Sequence, residues 1–506
     1  MNPPHRRKRT AMRIRLALAV VLTLVLGACA GGGTGASGDG TATLKWATSY
    51  FPTHWDPVVS GSGAQFRELA LVYASLTKTD EKGNAVPDLA ESWKYNDTGD
   101  EVTFHLREGL KFSDGTPVNA AAVKAAIDRA KTQKNSALFG DLTSIKSVTT
   151  SGDLDAVVHL TQTDYQIPLL FGERVLQIAS PKSDPETLDQ RPVGAGPFIV
   201  TQLIPGTKAV LKKNPDYWDA KNIHLDNVEL VSAPDAATVV SGLQTGVYNF
   251  ADITPNNAKA AKDADLDVFV QPGFNANNIS ININKAPFTN PKVVDAVRYA
   301  INRQEFVDKL GFGYGESTDQ PFPKGYVAYD PQSTDKYPYD PAKSRELLKG
   351  IPKIKLTLVI PNADPQAEIV QSQLAAVGIT IDIKVDKNWA TPFFAKDLTL
   401  SLYGTTGRDS ALQTLTAHFG PNGPLNLSSP YEPSGFEAAA AKVRQTPLDS
   451  PQYATTLQAA TRAGLESKAL VFTYSSPNLL AKSKALSALP ANPGHLDWTG
   501  VRIDNG

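Results

Sequence analysis

The chain has 506 residues, a formal net charge of −1 and 41% hydrophobic residues, which is the composition of an ordinary soluble protein with several domains. Its single cysteine excludes a disulfide within the chain. Beyond the N-terminal segment, no stretch is apolar for long enough to span a membrane.

The first 28 residues have the features of a secretory signal peptide. Six basic residues precede an apolar run from Leu16 to Ala28. That run is shorter than the ~20 residues of a transmembrane helix, so a cleaved signal is predicted instead. Cleavage would remove six basic and no acidic residues and change the net charge from −1 to −7, which argues against nucleic acid as a partner.

The end of this segment, Leu26-Gly27-Ala28-Cys29, resembles the lipobox of bacterial lipoproteins. Cys29 is therefore the predicted lipidation site, and a diacylglyceryl group would supply the two acyl chains that stable anchoring requires. An ordinary signal peptide with a chance cysteine is the alternative. Residues 29–41, rich in Gly, Ser and Thr, are predicted to form a flexible tether.

From residue 42 onward the pattern predicts a mixed α/β protein. Apolar alternation or runs indicate strands at 44–48, 102–106, 198–203, 209–212, 278–284, 354–358 and 379–385. Asp364-Pro365 predicts the start of a helix that Gly378 ends, so the two strands around it form a βαβ unit. Asn290-Pro291 predicts another helix, ending at Gly311.

The segment from Pro87 to Arg129 carries the most specific signal. It predicts a strand, a turn at residues 113–117 and an Ala-rich helix capped by Asn119. Its sequence pattern is L-A-x-S-W followed by x-F-x-L-R-x-G-x-x-F-x-D-G-x-P. This pattern resembles that of the family 5 extracellular solute-binding proteins of ABC importers. Segments at 193–198, 213–218, 278–301, 339–348 and 373–379 resemble that family in the same order.

The resemblance implies a fold class and a division of the chain. The fold would be α/β, of the two-lobed type II periplasmic-binding-protein kind, with an extra domain inserted in lobe I. On this sequence lobe I would comprise residues 42–77, 191–276 and 470–506, the inserted domain 78–190 and lobe II 277–469. Val471 to Tyr474 would form a strand of lobe I.

The implied function is that of a substrate-binding lipoprotein of an ABC importer. It would capture a small solute, first of all a peptide or peptide-like compound, between two lobes outside the cytoplasmic membrane, in the periplasm or at the cell surface. The implied partners are this ligand, separate permease and ATPase subunits, and the membrane through the lipid anchor. We expect a monomer, with no cofactor, metal site or catalytic residue. The alternatives are a binding protein for a metal chelate or other non-peptide solute, a secreted hydrolase, and a surface sensor or chaperone on the same fold.

The loop from Gly404 to Ser410 aligns with the ligand-holding loop of the family. The resemblance implies that Asp409 holds a ligand ammonium, and the adjacent Arg408 could grip a carboxylate with two hydrogen bonds. A structural Arg408–Asp409 pair that fixes the loop is the alternative. Thr405 stands where the family often has Trp, which puts peptide specificity in question. Aromatic residues at such positions more often belong to the core, but five are candidates for the cleft: Tyr50, Trp55, Phe274, Trp389 and Tyr403.

Overall fold

The computed structural model describes residues 41–60, 65–80, 83–172, 174–233, 235–271, 276–333, 336–405, 410–489 and 496–504. The predicted signal peptide and Cys29 therefore lie outside the described residues. In chain order the strands are β1 (Thr43–Thr48), β2 (Thr77–Thr79), β3 (Ala85–Pro87), β4 (Ala90–Tyr95), β5 (Glu101–Leu106), β6 (Ile145–Ser151), β7 (Asp155–Leu160), β8 (Phe198–Ile204), β9 (Lys208–Lys213), β10 (Asn227–Ser232), β11 (Phe250–Ile253), β12 (Asp267–Gln271), β13 (Ala276–Ile281), β14 (Glu316–Ser317), β15 (Ile354–Ile360), β16 (Ile379–Val385), β17 (Leu400–Thr405), β18 (Leu470–Ser475) and β19 (Asn478–Lys482).

The helices lie singly or in groups between these strands. They are α1 (Phe66–Leu69), α2 (Ala120–Thr132), α3 (Ile167–Leu170), α4 (Ala236–Gln244), α5 (Ala258–Asp263), α6 (Pro291–Ala300), α7 (Arg303–Leu310), α8 (Pro341–Leu347), α9 (Pro365–Ala375), α10 (Ala390–Phe394), α11 (Ala411–Phe419), α12 (Phe436–Arg444) and α13 (Tyr453–Leu465). Short 3-10 turns lie at Phe139–Leu142, Pro185–Thr187, Ala220–Asn222 and Pro255–Asn257. Within the described ranges, no helix has the length and apolar character needed to cross a membrane.

A seven-stranded sheet, with the strand order β12-β19-β11-β1-β10-β9-β8, forms what we call the first lobe. Its central strand β1 runs parallel to both neighbours, β10 and β11. Trp46 and Ala47, adjacent on β1, are both fully buried in separate apolar clusters. Because side chains alternate along a strand, this sheet is covered on both faces.

A six-stranded sheet, with the order β14-β18-β13-β17-β15-β16, forms the second lobe. The predicted βαβ unit is confirmed: β15 pairs in parallel with β16 from Ile354 opposite Ile379 onward, and α9 connects them. Asp364 caps α9 by accepting a 2.9 Å hydrogen bond from the backbone N–H of Gln366.

A four-stranded sheet, β4-β5-β7-β6, packs against α2 and forms what we call the four-stranded unit. The alternation predicted for β5 is confirmed, because Val102, Phe104 and Leu106 are buried while the residues between them are not. Asn119 caps α2 through a 3.0 Å bond from the N–H of Ala122, also as predicted. The short ladder β2-β3 lies next to this unit in the chain.

Two predictions from the sequence are wrong. Val471 to Tyr474 belong to β18, which pairs with β13 and β14 in the second lobe and not with any strand of the first. The helix predicted from Asn290 to Gly311 is broken, because Ile301 is extended and α7 starts anew at Arg303. The freed N–H of Asn302 donates to the side chain of Gln373, on another helix, at 3.1 Å.

The chain passes between the two sheets twice. β12 ends at Gln271 in the first lobe and β13 begins at Ala276 in the second. The return runs from Ser475, at the end of β18, to Asn478, at the start of β19, through Ser476 and Pro477 alone. These two short connections place the adjoining ends of both sheets side by side.

Candidate functional site

A cavity of about 330 Å³ lies at one edge of the second-lobe sheet. The parallel strands β15 and β17 end there, and α9 begins there. In open α/β sheets, the carboxyl edge of the strands is the usual place for a ligand. The side chains and backbone around the cavity belong to Asn277, Pro361, Asn362, Ala363, Asp364, Gln366, Trp389, Leu402, Tyr403 and Gly404.

One wall of this cavity is aromatic. The Trp389 ring stacks on Phe393 with centroids 4.6 Å apart and on Tyr403 at 5.9 Å, with interplanar angles of 26° and 14°. The Trp389 indole N–H donates to the hydroxyl of Ser401 on β17 at 2.7 Å, and this bond fixes the ring. The structure therefore brings together two of the aromatic residues predicted from the sequence, Trp389 and Tyr403.

The opposite wall is polar. The amide of Gln366 reaches the Asn277 side-chain oxygen at 3.4 Å and the Asp364 carboxylate at 3.2 Å. Burial raises the pKa of Asp364, while hydrogen bonds from Gln366 oppose that shift. Sequence reasoning identified Asp364 only as a helix cap. Its place in a cavity depends on Asn277, which is far away in the chain.

A buried charged cluster lies at the corresponding edge of the first lobe. Arg67 donates to the Asp252 carboxylate at 2.9 Å and lies 3.3 Å from the Glu68 carboxylate. Its guanidinium also reaches Gln271, the last residue of β12 before the connection to the second lobe, at 3.3 Å. Thr48, the last residue of β1, donates to Glu68 at 2.6 Å. The sequence analysis missed this cluster.

Two other predicted residues lie in the first lobe. Tyr50 is 40% exposed, and its ring lies 5.4 Å from the Arg67 guanidinium carbon, beside the charged cluster. Trp55 is only 2% exposed and packs edge-on against Phe51, so it belongs to the core of this lobe. Neither Tyr50 nor Trp55 is among the described residues that line the cavity of Trp389.

The remaining predicted residues, Arg408, Asp409 and Phe274, lie outside the described residues, and their roles stay predictions. The flanks of the loop are described: Gly404 lines the cavity, and Ser410 caps α11 by accepting a 3.1 Å bond from the N–H of Gln413. Among the described residues, no group of three His, Cys, Asp or Glu side chains could hold a metal ion.

The second lobe also contacts the four-stranded unit directly. The N–H of Tyr165 donates to the carbonyl of Arg444 at 2.8 Å, and the hydroxyl of Tyr453 donates to the Gln166 side chain at 3.0 Å. Gln413, close to the predicted ligand loop, donates to the Asp141 carboxylate at 2.5 Å. These contacts join the two parts at places other than the connections between the sheets.

The Glu68 carboxyl makes the stability of the fold depend on pH. Complete burial raises its pKa to about 8, from a value of 4.5 in the unfolded chain. The folded state thus keeps a proton that the unfolded state loses, so stability is fully present below pH 4.5 and falls as pH rises to about 8. We expect Glu68→Gln to flatten this fall, by up to ~1.4 kcal/mol per pH unit. Parallel melting curves of variant and wild type from pH 5 to 8.5 check this, and equal slopes would contradict it.

Comparisons with known proteins identify related chains. Residues 84–424 match the family described as "Bacterial extracellular solute-binding proteins, family 5 Middle". Heme-binding protein A of Haemophilus influenzae is 28% identical over 414 residues, which are 72% of this chain and 74% of that protein. Glutathione-binding protein GsiB of Salmonella typhi is 33% identical over 327 residues, which are 61% of this chain and 62% of that protein.

A solved structure shows the same fold. The periplasmic binding protein DppA of Helicobacter pylori, in complex with the peptide STSA, superposes with a TM-score of 0.80 at 22% identity, covering 92% of this chain and 98% of that one. This similarity confirms the predicted α/β fold of the type II periplasmic-binding-protein kind. The family match covers well over half of the sequence. The chain therefore belongs to the family 5 bacterial extracellular solute-binding proteins.

Proposed function

We propose that this protein is the substrate-binding component of an ABC importer and captures a peptide or peptide-like solute between its two lobes. The observation that carries the proposal is the cavity beside Trp389, at the sheet edge next to the connections between the lobes. A related structure binds a peptide, and a relative is named for glutathione. Closure of the second lobe over the solute would then present one compact form to a separate permease.

The chemistry of the cavity suits a peptide. The amides of Asn277 and Gln366 offer both donors and acceptors for a peptide backbone. The rings of Trp389 and Tyr403 offer an apolar surface for a side chain. The half-buried carboxyl of Asp364 lies at the N-terminus of α9, where its charge is favourable. Each of these groups would be desolvated by a ligand as the lobes close.

Equilibrium binding and scattering test this function together. The purified protein is examined by native mass spectrometry for a co-purified solute, then titrated by calorimetry with a set of di- and tripeptides. Small-angle scattering with and without the tightest ligand should show a smaller radius of gyration at saturation, with the ligand recovered unchanged. Identical scattering profiles at saturation would count against closure of the lobes around a ligand. A cleaved peptide would count against a binding protein and support the hydrolase alternative.

A metal chelate is the second candidate ligand. The stacked rings of Trp389, Phe393 and Tyr403 suit a flat, apolar compound, and one relative is named for heme. A chelate would bring its metal with its own ligands, so no protein cluster is needed to hold the ion. Calorimetric titration with hemin beside the peptides decides between the two, because a cavity tuned for one is expected to bind the other weakly.

We further propose that the protein is anchored by lipid at Cys29. The Leu26–Cys29 sequence and the basic segment before it support this proposal. The Cys29→Ala variant, expressed in a bacterium with a lipoprotein pathway, should incorporate no labelled palmitate and leave the membrane fraction. Thr34→Ala, a change in the tether, serves as the control and should label normally. Equal labelling of Cys29→Ala and wild type would overturn the anchor.

A further inference from the structure

A second and larger cavity, of about 560 Å³, lies between the four-stranded unit and the second lobe. On one side it is bordered by β4 and the segment around α3, and on the other by the turn between α12 and α13. None of the described residues around it also lines the cavity of Trp389. It is therefore a separate space, which the proposed capture of a solute leaves unused.

Four aromatic side chains are among the described residues that line this second cavity. Trp93 and Tyr95 lie two residues apart on β4 and so share one face of the strand. The ring of Tyr95 lies 4.6 Å from that of Tyr165, at an angle of 57°. Tyr453 completes the set from the second lobe.

The hydroxyls of two of these tyrosines are already used inside the protein. Tyr95 donates to the carbonyl of Asp164 at 2.9 Å, and Tyr453 donates to Gln166 at 3.0 Å. These two side chains therefore line the cavity with their carbon rings rather than with free hydroxyl groups. Ring faces and edges attract another ring through their complementary charge distributions, as well as by burial of apolar area.

The polar surroundings of this cavity do not select an ion. Gln166, whose side-chain oxygen accepts from Tyr453, does not line it. The charged side chains at the cavity, Lys94 and Asp449, are exposed at its border and opposite in sign, so they select no net charge.

We propose that this cavity is a second binding site, for a small uncharged compound with an aromatic ring. The ring would lie among Trp93, Tyr95, Tyr165 and Tyr453. Phenols and indoles are compounds of this class.

The site couples to the arrangement of the lobes, a consequence that rests on the proposed function. Its walls come from two parts of the molecule that meet through the Tyr165–Arg444 and Gln166–Tyr453 contacts. A compound that touches both parts binds the closed form better than an open form in which they are apart. By linkage, it raises the affinity for the solute in the other cavity, and that solute raises the affinity for the ring compound by the same factor.

The test uses p-cresol as the probe and 4-methylcyclohexanol, its non-aromatic counterpart, as the chemical control. Titration of the full-length protein, followed by saturation-transfer NMR, should show that p-cresol binds at least tenfold more tightly than 4-methylcyclohexanol. Leu448, half-buried in the α12–α13 turn, lines the cavity, so Leu448→Trp should fill it and weaken p-cresol at least tenfold. Leu448→Met conserves volume, so its affinity for p-cresol should stay within threefold of wild type. If Leu448→Trp melts at a clearly lower temperature than wild type, Leu448→Phe takes its place.

Equal affinity for p-cresol and 4-methylcyclohexanol would overturn the second site. Binding of p-cresol that neither Leu448→Trp nor Leu448→Phe weakens would overturn it as well. These measurements need no solute in the first cavity, so they fail or succeed independently of the proposed function. The coupling is checked by titrating the identified peptide with and without saturating p-cresol. An unchanged peptide affinity would overturn the coupling, while a rise that disappears in Leu448→Trp would support both the site and the coupling.

Discussion

Arg67→Ala is expected to lower the free energy of unfolding by about 3–5 kcal/mol, because it leaves the buried carboxylate of Asp252 without its cation. Arg67 is 4% exposed and pairs with Asp252, while Glu68 beside it is fully buried. Removing one partner of a buried charge group costs far more than the group contributes when complete, since the remaining charges cannot reach water. Urea unfolding at pH 7, followed by circular dichroism, measures the loss.

Two further variants separate charge from packing in this cluster. Lys259→Ala removes a cation whose pair with Asp263 is exposed, and it should change stability by less than ~1 kcal/mol. Arg67→Met combined with Glu68→Gln and Asp252→Asn leaves no charge uncompensated and should recover much of the loss. If Arg67→Ala unfolds at the same urea concentration as Lys259→Ala, the buried cluster does not stabilise the fold in this way.

Asp409→Ala is expected to weaken binding of a zwitterionic peptide by about 2–5 kcal/mol, the usual cost of truncating one partner of a buried charge pair. At the low end this is ~30-fold in dissociation constant. Asp409 directly precedes Ser410 in the sequence, and Gly404, at the start of the predicted ligand loop, lines the cavity of Trp389. Arg408→Ala should act similarly on the ligand carboxylate.

Calorimetric titration of both variants against the identified peptide checks this. Asp382→Ala, which removes an exposed carboxylate from β16, controls for the change in net charge. Should Asp409→Ala melt at a lower temperature yet bind within about threefold of wild type, the pair only fixes its loop. That result would leave Asp364 as the acidic group for the ammonium.

Local sequence signals predicted the elements whose structure is decided locally. The βαβ unit from Ile354 to Val385 has alternating strands, a capped helix start and a glycine after its end, and the structure has all of them. The same holds for β5 and the helix that Asn119 caps. In each case the strand period or the cap lies within a few neighbouring residues.

Other features depend on partners that a local reading cannot see. Every residue of β18 is buried, so its sequence shows no alternation that would assign it to one sheet or the other. The break between α6 and α7 is satisfied by Gln373, more than sixty residues away. The Arg67 cluster joins residues from α1 and β11, and neither segment carries a motif on its own.

The return connection between the lobes has few free backbone torsions. Between the last residue of β18 and the first of β19 stand only Ser476 and Pro477. The proline ring fixes one backbone angle, and its presence restricts the residue before it as well. This connection therefore contributes few free backbone torsions to any motion of the second lobe relative to the first. Replacing Pro477, which lines neither cavity, would free one more backbone angle in the connection and leave both cavities unchanged.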